Sequence, residues 1–341
     1  MSFVEHYKVL TQQKFQSDNF SLVPIRFEDR LKIMHWRNEQ LYHLRQQKPL
    51  AVEDQENYFK NVVSKLFHQE QPNQILFSFL ENGFCIGYGG LVHINWTDRN
   101  AEISFIMDTA LEDKRFHEIW KAYLNLLEQV AFTDLNLHKI YTYAFDLRPH
   151  LYDVLEACSF MNEARLKEHC FFRGEFLDII YHSKINRKML FREAKEKDSL
   201  LFFEWANDAS VRDNSYQSEP ISIETHNIWF LNKLRDDDCF MTVFENHIGD
   251  PIGQVRIQRF DNEKAMIGIS SDVKHRGKGY AFKMIQMASE VFLKENPQSC
   301  ISAYIKLENL ASQRAFEKAG YKLDKALEYD SIPSLHYIRK L

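Results

Sequence analysis

The chain repeats itself, and that repeat constrains its fold more than any other feature. The stretch from Arg26 to Trp36 and Asn38 reads like the stretch from Arg192 to Trp205 and Asn207. Each is a short strand running into an amphipathic helix that ends in Trp-x-Asn. Ala51 to Phe59 then parallels Ser222 to Phe230, Ile86-Gly87 parallels Ile252-Gly253, and Ala101 to Asp108 parallels Ala265 to Asp272. Ile140 to Phe160 aligns with Ile301 to Tyr321 without a gap. The separation drifts only from about 170 to 161 residues, as expected when loops alone have changed length. A repeat of this period is of single-domain size rather than solenoid size. The organisation expected is therefore an N-terminal arm or extra edge strand over residues 1–20, one copy over 21–185 and a second over 186–341.

Composition narrows the function classes. The 341 residues are 45% hydrophobic and 27% charged, within the range of soluble globular proteins. No stretch approaches the ~18 uninterrupted apolar residues of a membrane helix. The N-terminus lacks the basic-then-apolar layout of a signal peptide, so a cytoplasmic protein without a membrane partner is expected. The five cysteines, Cys85, Cys158, Cys170, Cys239 and Cys300, contain no CxxC pair, which suggests reduced thiols and no metal site. Residues 186–341 hold 23 basic and 23 acidic side chains, so the net charge of −5 sits wholly in the first 185. Neither half has the basic excess of a nucleic-acid binder. Self-association is left open.

In the second copy the elements read as strand Met189–Ala194, helix Lys195–Asn207, and a helix opened by the N-cap Ser222. Strands Cys239–Glu245, Ile252–Gln258 and Lys264–Ser271 follow. Gly279–Leu293 has helical periodicity, Ile301–Ile305 is a strand, and Leu310–Ala319 is a helix with Gly320 behind it. Two strand-like segments, near Tyr321–Leu323 and Leu335–Ile338, end the chain. The order β-α-α-β-β-β-α-β-α-β-β predicts an α/β fold, a mixed, mostly antiparallel twisted sheet with helices on both faces. Glycine is scarce, with only 11 in the chain, so Gly277 and Gly279 between a strand and a helix stand out. A helix start offers free N–H groups and a positive dipole end, and phosphates bind there when small residues let them approach. Gly277, Gly279 and Ala281 would leave that room, and Lys274, Arg276, Lys278 and Lys283 add positive charge.

Arg276-x-x-Gly279-x-Ala281 resembles the (Q/R)-x-x-G-x-(G/A) signature of the Gcn5-related N-acetyltransferases (GNAT). Asn309-Leu-Ala-Ser312 to Phe316 and Gly320-Tyr321 resembles their second motif, and the element order is theirs over all of 186–341. The resemblance implies two tandem GNAT folds and acetyl-CoA as acetyl donor. Its pyrophosphate would lie on Arg276, Gly277, Lys278, Gly279, Tyr280 and Ala281. Its pantetheine arm would pair with Ile269, Ser270 and Ser271, Asn309 and Ser312 would line the thioester end, and Phe316 would be a further cofactor-binding residue. The segments 205–216 and 221–230, with Pro251 to Arg256, are similar to acetyltransferases acting on 4-amino nucleotide sugars in nonulosonic acid biosynthesis. That likeness implies Arg212, Asn214, Ser215 and Trp229 as acceptor-binding residues. His226, with a pKa suited to neutral pH, is the expected base, Glu219 the second choice. The family's usual tyrosine acid is replaced here by Phe316, which leaves Tyr304, Ser312 or water to protonate the thiolate.

The first copy has lost these features. After Asp108 come Thr109, Ala110, Leu111, Glu112 and Asp113, with no glycine and with acidic groups where phosphates would sit. Arg148 stands at the place of Asn309, Leu151 at that of Ser312, and Ser159 at that of Gly320. A fold retained without ordinary CoA binding is expected, as structural partner, lid or second acceptor surface. The rival readings of the whole chain are an acetyltransferase of protein N-termini or small amines, and a non-catalytic acetyl-CoA-binding scaffold.

Overall fold

The computed structural model describes residues 5–341; the first four residues of the expected N-terminal arm lie outside it. The chain divides into two compact units, Met1–Asn186 and Arg187–Leu341. Among the described residues no helix is long and apolar enough to cross a membrane.

The first unit holds strands β1 (Phe15–Ser17), β2 (Phe20–Pro24), β3 (Ile75–Glu81), β4 (Phe84–Asn95), β5 (Asn100–Met107), β6 (Lys139–Phe145), β7 (Met161–Phe172) and β8 (Glu175–Ile185). Its helices are α1 (Arg30–Glu39), α2 (Val52–Tyr58), α3 (Ser64–Leu66), α4 (Thr109–Glu128) and α5 (Pro149–Ala157). The eight strands form one sheet in the order β1-β2-β3-β4-β5-β6-β8-β7. The segment before β1 is part of the core: Tyr7 is fully buried, and its hydroxyl donates to the Leu76 carbonyl and accepts from the Leu76 N–H.

The second unit repeats the plan with β9 (Met189–Glu193), α6 (Ser199–Asn207), α7 (Ala209–Asn214), α8 (Ile223–Leu234), β10 (Cys239–Asn246), β11 (Pro251–Arg259), β12 (Lys264–Ser271), α9 (Tyr280–Glu295), β13 (Cys300–Lys306), α10 (Leu310–Lys318), β14 (Lys322–Tyr329) and β15 (Ile332–Arg339). Its sheet runs β14-β15-β13-β12-β11-β10-β9. Alternation along the strands decides which helices cover which face. Val255, Ile257, Ala265, Ile267, Ile301 and Ala303 pack under α9 and α10, whereas Met241 and Val243 turn to Phe202, Trp205 and Phe230 of α6 and α8. The last hairpin is longer than the sequence pattern indicates. Asp330 and Ser331 both take left-handed φ, 54° and 62°, and close it without the usual Asn-Gly signal.

Three devices recur in both units and explain the sequence repeat. A bulge at Ile86 and at Ile252 aims each carbonyl at the N–H of Asp108 and Asp272, respectively. The following glycines admit a neighbour: a Cβ on Gly253 would stand 2.5 Å from the Ser270 carbonyl oxygen, and one on Gly87 would stand 2.9 Å from the Phe105 ring. The Trp-x-Asn motif is a staple. Asn38 donates to the Leu50 carbonyl at 3.0 Å and accepts from its N–H at 2.8 Å, and Asn207 binds Ile221 in the same way at the same distances. Each staple fixes the loop just before α2 or α8. Replacing Asn38 or Asn207 by Ala strands two backbone groups and should cost its own unit about 1–3 kcal/mol. Hydrogen exchange on the full chain should show the loss confined to the mutated unit; unchanged protection in either variant would make the staple incidental.

Candidate active site

In the second unit β12 ends at Ser271, and Asp272 accepts from the Lys274 N–H at 2.8 Å and from the Trp205 indole at 3.0 Å. A short turn leads to Gly277 and Gly279 at φ +73° and +75°, and α9 begins at Tyr280 with no side-chain cap on its N–H groups. A Cβ on Gly277 would meet nothing within 4 Å, and one on Gly279 only the Phe282 ring at 3.9 Å. These glycines are therefore demanded by the left-handed backbone; the space above them is open and suits a phosphate. Lys274, Lys278 and Lys283 surround this helix start, and none forms an ion pair among the described residues. Two expected ligands act differently. The Arg276 guanidinium is tied to Asp208 at 2.7 Å and to the Ser271 carbonyl at 3.0 and 3.1 Å, so it braces the turn. The Tyr280 ring is buried beside His275, which leaves only its N–H for an anion.

The parallel pairing of β12 with β13 covers only Lys264–Cys300, Ala265–Ile301 and Met266–Ser302. Beyond it the strands part. Ile269, Ser270 and Ser271 pair with Val255, Gln254 and Gly253 on β11, so β12 turns an edge without a strand partner to the cleft. Asn309 opens α10 and accepts from the Ser312 N–H at 3.0 Å, which makes it a helix cap at the cleft. Phe316, an expected cofactor contact, is 4% exposed and packs edge-on against Tyr321 as part of the core.

The face opposite α9 and α10 carries Ser302, Tyr304 and Lys306 of β13 beside Ser334 and His336 of β15. The Tyr304 ring lies between Tyr329, 4.1 Å away by centroids, and His336 at 4.7 Å, both nearly parallel to it. Its hydroxyl has no hydrogen-bond partner among the described residues. His336 bridges Asp324 at 3.0 Å and Ser302 at 2.9 Å, and Tyr216 reaches in to contact Tyr329 and Ser334. Sequence reasoning missed His336, Tyr329 and Tyr216, whose meeting depends on the extended hairpin.

His226 is not in this cluster. It is 1% exposed, wedged among Phe203, Trp229 and Phe230, with Nε2 on the Ser199 carbonyl at 2.9 Å. Burial holds its pKa below the ordinary value. The structure places the expected base as a packing residue between α6 and α8, its ring closed off from solvent. Glu219 is exposed and engages the site loop only through its carbonyl, which accepts from Arg212. Arg212 also donates to the Gln217 carbonyl and the Ser215 hydroxyl, and Asn214 bonds back to the Ser210 carbonyl. Trp229 carries the Arg256 guanidinium at 5.1 Å over its ring. Arg212 and Arg256 have no carboxylate partner among the described residues, and burial lowers the pKa of both.

The corresponding place in the first unit is closed. There α4 starts directly at Thr109, and the Asp108 carboxylate caps the Ala110 N–H at 3.0 Å. Glu112 in the first turn meets Arg148 at 2.6 Å, with side chains only 13% and 8% exposed. Arg148 opens α5 as Asn309 opens α10; it also contacts His43 at 3.1 Å and lies 5.1 Å over Phe116. An internal carboxylate thus occupies the helix start and an internal cation neutralises it. Burial, then the Arg148 charge, push His43 down to about 3 from 6.5. The folded unit keeps His43 neutral where an unfolded chain protonates it, so the unfolded state binds more protons between those values. Stability of the first unit should therefore fall as pH drops from 6.5 towards 3. His43→Gln should flatten part of that fall in thermal melts; His150 and His182, which burial also depresses, and the carboxylates that Arg115 holds low, Glu81 and Glu118, contribute to the remainder. An unaltered slope would contradict the assignment.

Comparison with known proteins agrees with this geometry. Two family profiles match, each described as an acetyltransferase (GNAT) domain, one over residues 22–181 and one over 188–322. A curated relative, spermidine N(1)-acetyltransferase of Vibrio cholerae, is 33% identical over 94 residues, 28% of this chain; the chain spans about half of that relative, 53%. Among solved structures, the spermidine N-acetyltransferase of Vibrio cholerae with CoA and spermine is 23% identical, with a TM-score of 0.44, over 50% of this chain and 96% of that one. The aminoglycoside acetyltransferase AAC(6')-Ib with coenzyme A is 17% identical, with a TM-score of 0.39, over 45% and 95%. GNAT acetyltransferases use acetyl-CoA, and the open helix start of α9 fits its phosphates. The chain belongs to the GNAT acetyltransferase family, with two such domains in tandem.

Proposed function

We propose that the second unit transfers an acetyl group from acetyl-CoA to the amine of a small anionic molecule, a 4-amino nucleotide sugar. The observation that carries this reading is the unmatched positive charge on the acceptor side. Arg256 lies over the Trp229 ring with no carboxylate partner among the described residues, Arg212 bonds only carbonyls and a hydroxyl, and Lys306 meets the Asp213 carbonyl and the Tyr216 ring. Cations held by neutral partners attract a phosphate or carboxylate and repel a polyamine.

The donor, when bound, supplies an activated acetyl thioester. The N–H groups at the start of α9 and Lys274, Lys278 and Lys283 hold its phosphates, and the β12 edge over Ile269–Ser271 orients its arm. The acceptor amine must arrive neutral. An amine on a sugar ring is less basic than a lysine because its oxygen neighbours withdraw charge, so water suffices to take its proton. Tyr304, clamped by Tyr329 and His336 with its hydroxyl uncommitted, gives a proton to the departing thiolate, a fair leaving group at a thiol pKa near ~8.5.

A second reading, acetylation of a polyamine, is favoured by the similarity to the spermidine enzyme. Thiol release from acetyl-CoA decides between them with a 4-amino-4,6-dideoxy nucleotide sugar, spermidine, kanamycin and a peptide as acceptors. The nucleotide sugar should give the highest kcat/KM. Arg256→Met should lower that value about tenfold or more through KM, and Tyr304→Phe should lower kcat by roughly 10²-fold or more. Acetyl-CoA affinity should hold in both variants. Preference for spermidine, with Arg256→Met neutral or beneficial, would overturn the anionic acceptor; full activity in Tyr304→Phe would remove the tyrosine from the chemistry.

A further inference from the structure

The first unit, closed to the acetyl donor, contains a cavity of about 700 Å³ lined only by its own residues. That volume is within the range of small-molecule sites, about 300–1,000 Å³. Three features of its wall are not explained by the fold. Arg37 donates to the Gln46 amide oxygen at 2.9 Å and to the Tyr88 hydroxyl at 2.6 Å, and has no carboxylate partner among the described residues. The repeat makes this telling, because the second unit builds the same Trp-x-Asn turn with Ala206 at the equivalent position. Arg45 lies over the rings of Tyr143 at 4.6 Å and Phe145 at 5.4 Å, again without a carboxylate. Thr142 is 4% exposed, and its hydroxyl has no partner. The acidic groups in the wall are occupied or peripheral. Glu102 pairs with His93 at 2.8 Å, and Asp54 is exposed and accepts from the Ala51 N–H.

We propose that this cavity binds a nucleoside diphosphate without acetyl-CoA. A guanidinium held by two neutral groups receives a phosphate in charge-assisted hydrogen bonds. The Arg45 guanidinium, backed by the Tyr143 and Phe145 rings that it covers, offers a cationic surface for a base. The unpartnered Thr142 hydroxyl gives a polar contact for the base edge or the ribose. A nucleotide presents ring, hydroxyls and anion in sequence; a bare inorganic anion would leave most of the cavity unfilled. This inference concerns a different unit from the acceptor reading and stands or falls separately.

The test is calorimetry on the full chain carrying Arg256→Met and Gly279→Glu, which weaken the acceptor side and close the phosphate cradle of the second unit. UDP, GDP, ADP, uridine and inorganic pyrophosphate are titrated in turn. At least one nucleoside diphosphate should bind with one site per chain, at least about tenfold more tightly than uridine or pyrophosphate. Adding Arg37→Ala, the residue type that the second unit itself uses, should weaken that binding about tenfold or more. Thr142→Val should leave the thermal midpoint unchanged and weaken binding by a few fold; it decides the matter if Arg37→Ala fails to fold. The proposal is overturned if none of the three diphosphates binds or if uridine binds as tightly. It is also overturned if affinity is unchanged in a folded Arg37→Ala chain, or in Thr142→Val where Arg37→Ala does not fold.

Discussion

Three residue pairs of parallel ladder govern this architecture. β12 and β13 are bonded only over 264–266 and 300–302, and β5 and β6 only over Asn100–Glu102 and Lys139–Tyr141. Past those pairs each sheet opens, and a strand whose backbone groups would normally face a partner turns an edge to the cleft instead. A longer ladder would close the sheet and remove the site. The opening also fixes what surrounds it, since α9 starts at the end of β12 and α10 at the end of β13. The two helix starts, the free strand edge and the side chains on the far face of β13 are therefore brought together by one interruption in hydrogen bonding.

The two units share this scaffold and use it in opposite ways. At the start of α9 two left-handed glycines and three unpaired lysines leave positive potential open to solvent. At the start of α4 the Asp108 cap, Glu112 and Arg148 have already satisfied that potential from within. A buried pair of this kind strongly resists the loss of one partner, because the other charge would remain in low dielectric. The first unit is thus stabilised by groups that leave no free positive charge at that helix start, and Arg148 and His43 also line its cavity, beside Arg37, Tyr88 and Tyr143.

Much of this was legible in the sequence, and the failures have physical causes. The Trp-x-Asn repeat, the parallel Ile-Gly pairs that the structure places at bulges, and the paired glycines of the cradle are backbone devices, which need particular residues at particular places. The loss of the cradle in the first copy is readable for the same reason. Side-chain roles were harder to read. His226 and Trp229 have the spacing of a site-facing pair on α8, yet His226 turns inward because Ser199 offers its imidazole a buried carbonyl. Arg276 fits its motif, but Asp208 takes its guanidinium, a partner 68 residues away. The stack of Tyr329, Tyr304 and His336 unites β13 with a hairpin whose turn lacks a glycine, so neither its length nor its register could be read from local pattern. Arg256 closes a segment that the resemblance singles out, but the sequence does not mark it as a site residue, because its meaning lies in the absence of a carboxylate around it.

The division of labour between the units is tested most directly by the stoichiometry of acetyl-CoA on the intact chain. Calorimetric titration should give one molecule bound per chain, and Gly279→Glu should abolish it, since that change sets a carboxylate at the helix start and a side chain on a left-handed residue. Two molecules per chain, or one that survives Gly279→Glu, would contradict the account by showing that the ion pair of Glu112 and Arg148 does not close the first unit.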